Sequence, residues 1–109
     1  SQKNFQNLST STLTTTSTNQ VALDVFDADQ FRSARYQIQA SSGTSHHTAE
    51  FIIVHNGTTT YNTEYAVIVV GSSLASFDSD ISSGNVRLLI TPASATSTTF
   101  KAIRTSINT

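Results

Sequence analysis

The hydrophobic pattern of this chain alternates over much of its length and is interrupted by turn-forming residues. Val21, Leu23 and Val25 fall on one side of a period-two pattern, with Ala22, Asp24 and Phe26 on the other. A period of two is the spacing of side chains on a half-buried β-strand. A longer alternating stretch, from residue 32 to residue 40, predicts a second strand with one face exposed.

The middle of the chain predicts a hairpin. The apolar run of residues 51–54 indicates a buried central strand. Asn56-Gly57 follows it, and this dipeptide predicts a type I′ turn because both of its residues tolerate a positive φ. The chain should then pair back over residues 58–70, as one bent strand or as two short ones.

The last third predicts two further strands. Residues 78–85 are dense in turn formers, so we expect a turn there rather than a calcium-binding loop. Residues 86–91 and 98–107 are β-prone. Pro92 lacks a backbone donor and therefore closes the first of these strands or marks a sheet edge.

These patterns predict an all-β fold. About eight short strands with regular turn signals, and no helical periodicity, are typical of an antiparallel β-sandwich of jelly-roll or Greek-key type. A small closed barrel is the alternative. The 109 residues suffice for one domain, predicted over residues 20–109, and the 37% apolar content can fill one thin core between two sheets.

The first 19 residues differ from the rest because they are polar and rich in threonine. Threonine is β-branched and favours strands when a neighbouring strand is available. We therefore expect an extended N-terminal arm or an edge strand. Phe5, Leu8 and Leu13 are its candidate docking residues, and strand addition to a neighbouring subunit is the expected mode of docking.

The composition limits the possible partners. Ser and Thr make up about a third of the chain, charged residues only 12%, and the net charge is −1. The six Lys and Arg are scattered, so no nucleic-acid partner is expected. The longest apolar run, residues 66–70, is too short for membrane insertion, and no secretion signal opens the chain. Because the first residue is Ser, we expect either a product whose initiator Met was removed or a fragment.

No catalytic chemistry is expected. The chain lacks a nucleophile elbow, a phosphate-binding glycine loop and a zinc-binding helix motif, so we predict no enzyme activity, catalytic residues, cofactor or metal. His46 and His47 should face opposite sides of a strand, and we expect these two and His55 to be exposed residues in loops or at strand ends. The carboxylate pairs at 27/29 and 78/80 are interpreted as turn residues.

Three tyrosines are candidate surface-binding aromatics. Tyr36, Tyr61 and Tyr65, with neighbouring phenylalanines, could form a platform on which sugars stack. Packing in the core or between subunits is the more usual role of such residues. Carbohydrate binding is therefore kept as the alternative function.

Several ordered patches resemble a known module. They are Phe-Arg-Ser-Ala-Arg-Tyr-Gln-Ile-Gln (31–39), Glu-Phe-Ile-Ile-Val-His-Asn-Gly-Thr (50–58), Thr-Glu-Tyr (63–65), Leu-Ala-Ser-Phe-Asp (74–78) and Ser-Gly-Asn-Val-Arg-Leu-Leu-Ile-Thr-Pro (83–92). Together they resemble a β-sandwich module of virion structural proteins from tailed phages, especially T4-like phages of marine cyanobacteria. The resemblance covers residues 20–107.

The resemblance implies a non-enzymatic virion subunit, assembled in the host cytoplasm. Such a subunit would decorate or join parts of the head, neck or tail. The first 19 residues lie outside the resemblance, and docking through this N-terminal arm is a separate hypothesis. Its partners would be other virion proteins and copies of itself. The alternative is a receptor-contacting module of a tail fibre that binds host surface glycan.

Overall fold

The computed structural model describes residues 6–109, so Phe5 lies outside the described residues. These residues form eight β-strands and no helix, and they accordingly contain no helical segment able to cross a bilayer. The strands are β1 Gln6–Thr15, β2 Val21–Asp27, β3 Phe31–Ser42, β4 Ser45–His55, β5 Thr60–Val70, β6 Ala75–Ser82, β7 Asn85–Pro92 and β8 Thr98–Asn108.

The strands form two antiparallel sheets. The larger sheet has the order β1-β8-β3-β4-β5 and the smaller one the order β2-β7-β6. The predicted all-β sandwich of about eight strands is confirmed, while its jelly-roll or Greek-key type stays a prediction. β1 is the outermost strand of the larger sheet and pairs with β8 along its whole length. The division into an arm of residues 1–19 and a domain of residues 20–109 also stays a prediction.

The core lies between the two sheets and is built from alternate positions of their strands. The largest side chains that are fully buried are aromatic and isoleucine residues on the larger sheet and aliphatic residues on the smaller one. They are Tyr36, Ile38, Phe51, Ile53 and Phe100 on the larger sheet, and Val86, Leu88 and Ile90 on the smaller.

The run of residues 51–54 is buried on one side only. Phe51 and Ile53 point into the core, whereas Val54 on the other face is 41% exposed and Ile52 is half-buried. The strand is central in its sheet, as predicted, but the prediction that the whole run is buried is wrong. A two-layer sandwich covers only one face of each sheet.

The hairpin after β4 forms, but its turn is not of type I′. Four residues, 56–59, separate β4 from β5, and only Gly57 among them has a positive φ, of 98°. The Asn56 side-chain oxygen accepts hydrogen bonds from the backbone N–H groups of Thr58 (3.1 Å) and Thr59 (2.9 Å). This side chain stabilises a longer loop, which was not expected from the Asn-Gly signal.

The turn predicted over residues 78–85 forms only at residues 83–84, and the prediction of a turn over residues 78–82 is wrong. β6 continues to Ser82 and β7 begins at Asn85, so the turn consists of Ser83 and Gly84 alone. Their φ values are 51° and 80°, as a tight type I′ connection requires. The polar residues of β6 lie on a half-exposed strand of the smaller sheet, where turn-forming residue types are tolerated because water still reaches them.

This two-residue turn gives a prediction with opposite signs at neighbouring positions. Ser83→Gly should raise the free energy of unfolding by several tenths of a kcal/mol, because glycine adopts a positive φ without steric cost, whereas Gly84→Ala should lower it by about 1 kcal/mol. Nothing lies within 4 Å of a Cβ added at Gly84, so only the backbone is affected. Urea denaturation of both variants tests this, and equal signs would contradict it.

A bulge in β2 breaks the predicted alternation of that strand. The register with β7 shifts between Ala22 and Asp24, so Leu23 and Phe26 are the buried apolar residues. Val25 is 46% exposed on the outside of the smaller sheet. The same shift places the Asp24 side chain, 9% exposed, beside Arg104 of β8.

Candidate interaction surface

The outer face of the larger sheet is the side turned away from the smaller sheet. Strand register places aliphatic and tyrosine side chains of four strands, β1, β8, β4 and β5, on it, while β3 contributes polar side chains; Leu8 and Ile68 there are 70% and 64% exposed. The apolar residues on this face are Leu8, Ile52, Val54, Tyr61, Tyr65, Ile68, Val70, Ile103 and Ile107. Large exposed apolar patches on a soluble domain usually mark a contact with another molecule.

A groove of about 380 Å³ crosses this face over β1, β8, β3 and β4. Amide, hydroxyl and ammonium side chains surround an isoleucine in it, so the groove offers hydrogen-bonding groups around an apolar floor. They are Thr10, Thr12, Gln37, Gln39, Thr48, Lys101 and Ile103. Its volume lies in the range of small-molecule sites.

The outer face carries few charges. Arg35, Glu50 and Lys101 lie on it, and the Tyr65 hydroxyl is 3.4 Å from a Glu50 carboxylate oxygen. Positive and negative groups are mixed, so the face has no strong field of one sign. Such a surface suits a protein or a neutral ligand better than a polyanion.

Beneath this face, a buried polar cluster joins the two sheets. Asp24 accepts hydrogen bonds from Ser11 (2.6 Å), Tyr36 (2.7 Å) and Arg104 (2.8 Å). Arg104 also donates to the Val25 carbonyl and lies over two phenylalanine rings. Burial, reinforced by the Asp24 charge, raises the pKa of Tyr36 far above its usual range. The cluster ties β1, β2, β3 and β8 together, and its Asp24 and Arg104 side chains are only 9% and 10% exposed.

The expectation that the three histidines are exposed is wrong for two of them. His47 and His55 are each only 3% exposed. His55 bonds the Phe31 carbonyl through Nε2 (2.7 Å) and accepts from the Gly57 N–H at Nδ1 (2.9 Å). His47 accepts from the Leu74 N–H and packs edge-on against Phe77. Both therefore support loops from inside the sandwich. Alternation does place His46 and His47 on opposite faces, as predicted.

The carboxylate pairs differ from each other. Asp27 accepts the backbone N–H of Asp29 within a turn, as expected. Asp78 and Asp80 lie in β6 instead, where a hydrogen bond from Arg87 lowers the pKa of Asp80. Within residues 6–109, no group of three or more His, Asp or Glu side chains could hold a metal ion.

The candidate binding residues predicted from sequence separate into two sets. Leu8, Tyr61 and Tyr65 lie on the outer face. Leu13 packs against the core instead, and Tyr36 is fully buried with its hydroxyl on Asp24, so neither is available to a surface partner. Ile103 and Ile107 also lie on the outer face and were not predicted, although their alternation with buried residues of β8 is visible in the sequence.

Similarity to known proteins is found at the level of fold. No protein-family model matches the sequence, and no curated protein matches it either. The fold is similar to part of the tailspike protein of Acinetobacter baumannii phage AM24, with a TM-score of 0.52 and 10% identity over 95% of this chain. It is also similar to part of the tailspike protein of Acinetobacter phage vB_ApiP_P1, with a TM-score of 0.55 and 21% identity over 99% of this chain.

The chain spans only 27% and 22% of the length of these two tailspike proteins. At such low identity the similarity concerns the fold alone.

Proposed function

We propose that this chain is a non-enzymatic structural module of a phage virion, associated with the tail, that joins virion components through the outer face of its larger sheet. The uncovered apolar side chains of that face are the observation on which the proposal rests. The fold shared with parts of two tailspike proteins supports a place in the tail, and the sequence resemblance supports the virion role.

The N-terminal segment is proposed to contact a neighbouring subunit through the exposed residues of β1. Leu8 lies on the outer face near Ile103 and Ile107 and can contact a neighbouring subunit. Leu13 and Ser11 point the other way, toward the core and Asp24. Deleting residues 1–19 would therefore remove a strand of the sandwich together with the contact, so point substitutions give the better test.

The proposal is tested by assembling the phage with a variant of this chain whose outer face carries added charges. The double variant Leu8→Lys/Ile103→Lys should fold with an unchanged Tm, because both side chains are exposed, but incorporation into purified particles should fall at least tenfold. Burying a lysine in an apolar contact lowers the binding free energy by more than about 1.4 kcal/mol, and about 1.4 kcal/mol corresponds to a tenfold loss of affinity.

The matched control is Val25→Lys. Val25 is similarly exposed but lies on the smaller sheet, and its variant should be incorporated normally. Quantitative mass spectrometry of the particles measures both. Normal incorporation of the double variant, or absence of the unmodified chain from particles, would overturn the proposal.

The second candidate function is the binding of a neutral host glycan. The groove on the outer face favours it, because Gln37 and Gln39 on β3 supply two amides, and Thr10 and Thr12 on β1 supply two hydroxyls on the other side of β8. Neither glutamine side chain bonds another part of the described chain. Tyr61 and Tyr65 extend the same face with aromatic rings.

A glycan array followed by calorimetry distinguishes this function from a purely structural one. Saturable binding should be lost in Gln37→Ala/Gln39→Ala, while incorporation into particles is retained. Tyr61→Ala/Tyr65→Ala reports whether the tyrosines take part. The absence of any glycan signal would rule out this second function and leave the first one unaffected.

A further inference from the structure

The free edge of β5 is the second unusual surface of this protein. β5 pairs with β4 on one side, and no strand of the described chain pairs with its other side. The backbone N–H and C=O groups along that edge therefore face outward. An open edge of this kind can add a further strand.

The C-terminal half of β5 is apolar on both faces. Register with β4 places Ile68 and Val70 on the outer face and Val69 on the inner face, beyond the cover of the smaller sheet. Val67, Ile68, Val69 and Val70 are 47%, 64%, 39% and 54% exposed. Exposing four consecutive aliphatic side chains to water is unfavourable, because apolar surface is more stable when it is buried.

The usual protection of an edge strand is weak here. Lysine, proline and inward-pointing charges normally discourage edge-to-edge pairing. Residues 60–70 contain neither lysine nor proline, and Glu64 is their single charged residue. Glu64 lies opposite Phe51 and therefore on the inner face, and Ala66, with a φ of 52°, lies at a bulge; both protective features come before the apolar stretch.

We infer that the β5 edge pairs with the β5 edge of a second copy of this chain, antiparallel and around a two-fold axis at Ile68. In an isologous contact both copies use the same surface, so the apolar strand of one copy meets the apolar strand of the other. The larger sheets of the two copies then join into one continuous sheet.

The distribution of charge along β5 supports a second copy of this chain as the partner. In antiparallel pairing centred on Ile68, Val67 of one copy lies opposite Val69 of the other and Ala66 opposite Val70, so apolar residues face each other from residue 66 to residue 70. The two Glu64 carboxylates fall at opposite ends of the contact, about 27 Å apart by the rise of a strand. This separation exceeds the Debye length of about 8–10 Å, so their repulsion is screened.

The other open edge fits β5 less well. β1, at the far side of the same sheet, consists of Ser, Thr, Asn and Gln apart from Leu8 and Leu13. Pairing β5 with β1 of another copy would place hydroxyl side chains against valines. It would also be head-to-tail and would generate rings or filaments rather than a closed dimer.

This inference is independent of the proposed virion role, because it concerns the β5 edge and the solution behaviour of the isolated chain. A pairing of this length buries less than the roughly 1,200–2,000 Å² of standard interfaces. The dimer should therefore be weak and depend on concentration.

Sedimentation equilibrium should show a reversible monomer–dimer equilibrium at protein concentrations between about 10 µM and 1 mM. A contact of this size is expected to have a dissociation constant in that range. Ile68→Lys should weaken dimerisation at least tenfold with an unchanged Tm, because the side chain is exposed in the monomer. Val25→Lys, on the smaller sheet, is the control and should dimerise normally. A monomer at every concentration, or trimers and filaments, would overturn the inference.

Cross-linking tests the register of the same dimer. The chain contains no cysteine, so Ile68→Cys introduces a single thiol that lies near its own copy across the two-fold axis. Residues directly opposite each other on antiparallel strands have Cβ atoms about 4.5–5.5 Å apart, close enough for oxidation to link them with small adjustments. Mild oxidation should give a covalent dimer of Ile68→Cys and not of Val25→Cys. Equal cross-linking of the two would contradict β5 pairing.

Discussion

Replacing Arg104 with methionine is expected to lower the free energy of unfolding by about 3–5 kcal/mol, which is what breaking a buried ion pair from one side costs. The substitution keeps most of the side-chain volume but leaves the Asp24 carboxylate inside the sandwich with only Ser11 and Tyr36 as donors. The contacts of the guanidinium with the Phe26 and Phe31 rings, at 5.4 and 5.8 Å, are also lost. Urea denaturation with the linear extrapolation measures the change.

A double-mutant cycle is the control for this prediction. Asp24→Leu alone should also be strongly destabilising, since it leaves Arg104 unpaired. The double variant Asp24→Leu/Arg104→Met removes both charges and should be less destabilised than the sum of the two single variants. An additive result, or a loss below about 1 kcal/mol for Arg104→Met, would show that the buried ion pair does not stabilise the sandwich.

The second large effect is expected at Ile53, where truncation to alanine should cost about 2–5 kcal/mol. Ile53 is fully buried between the sheets, so its removal loses apolar burial and leaves a cavity. Ile52 provides a matched control, because the same residue type one position earlier lies on the outer face and is half-buried. Ile52→Ala should cost no more than about 1 kcal/mol.

Thermal and urea denaturation of the two isoleucine variants therefore report which side of β4 is covered. The expected order is a large loss for Ile53→Ala and a small loss for Ile52→Ala. The reverse order would show that the second layer covers the opposite face from the one in the structure, and similar large losses would show that both faces are covered.

The fold class could be predicted from sequence because its signal is local. Alternation along β3 and the apolar segments of β4 and β7 are read directly from residue order, and period two has one structural meaning. Turn chemistry was less reliable. Asn56 stabilises a four-residue loop through its side chain, and the polar residues of β6 resemble a turn although they pair with β7.

The candidate surface could be predicted only in part, because a single sequence does not say which face of a sheet is covered. Tyr36 and Tyr65 have the same residue type and similar neighbours, yet one is in the core and the other on the outer face. The exposure of residues 67–70 depends on how far the smaller sheet extends over β5. That extent is a property of tertiary packing and is not encoded in the local pattern.

The pairing of β1 with β8 places the two ends of the described chain next to each other. Gln6 lies opposite Ile107 in the register of these strands. A polypeptide can therefore enter and leave this sandwich at one point on its rim, so it can be carried as an insert within a longer protein without stretching the host. Joining residues 6 and 107 by a short linker and opening the chain at the loop of residues 56–59 should likewise give a circular permutant that still folds.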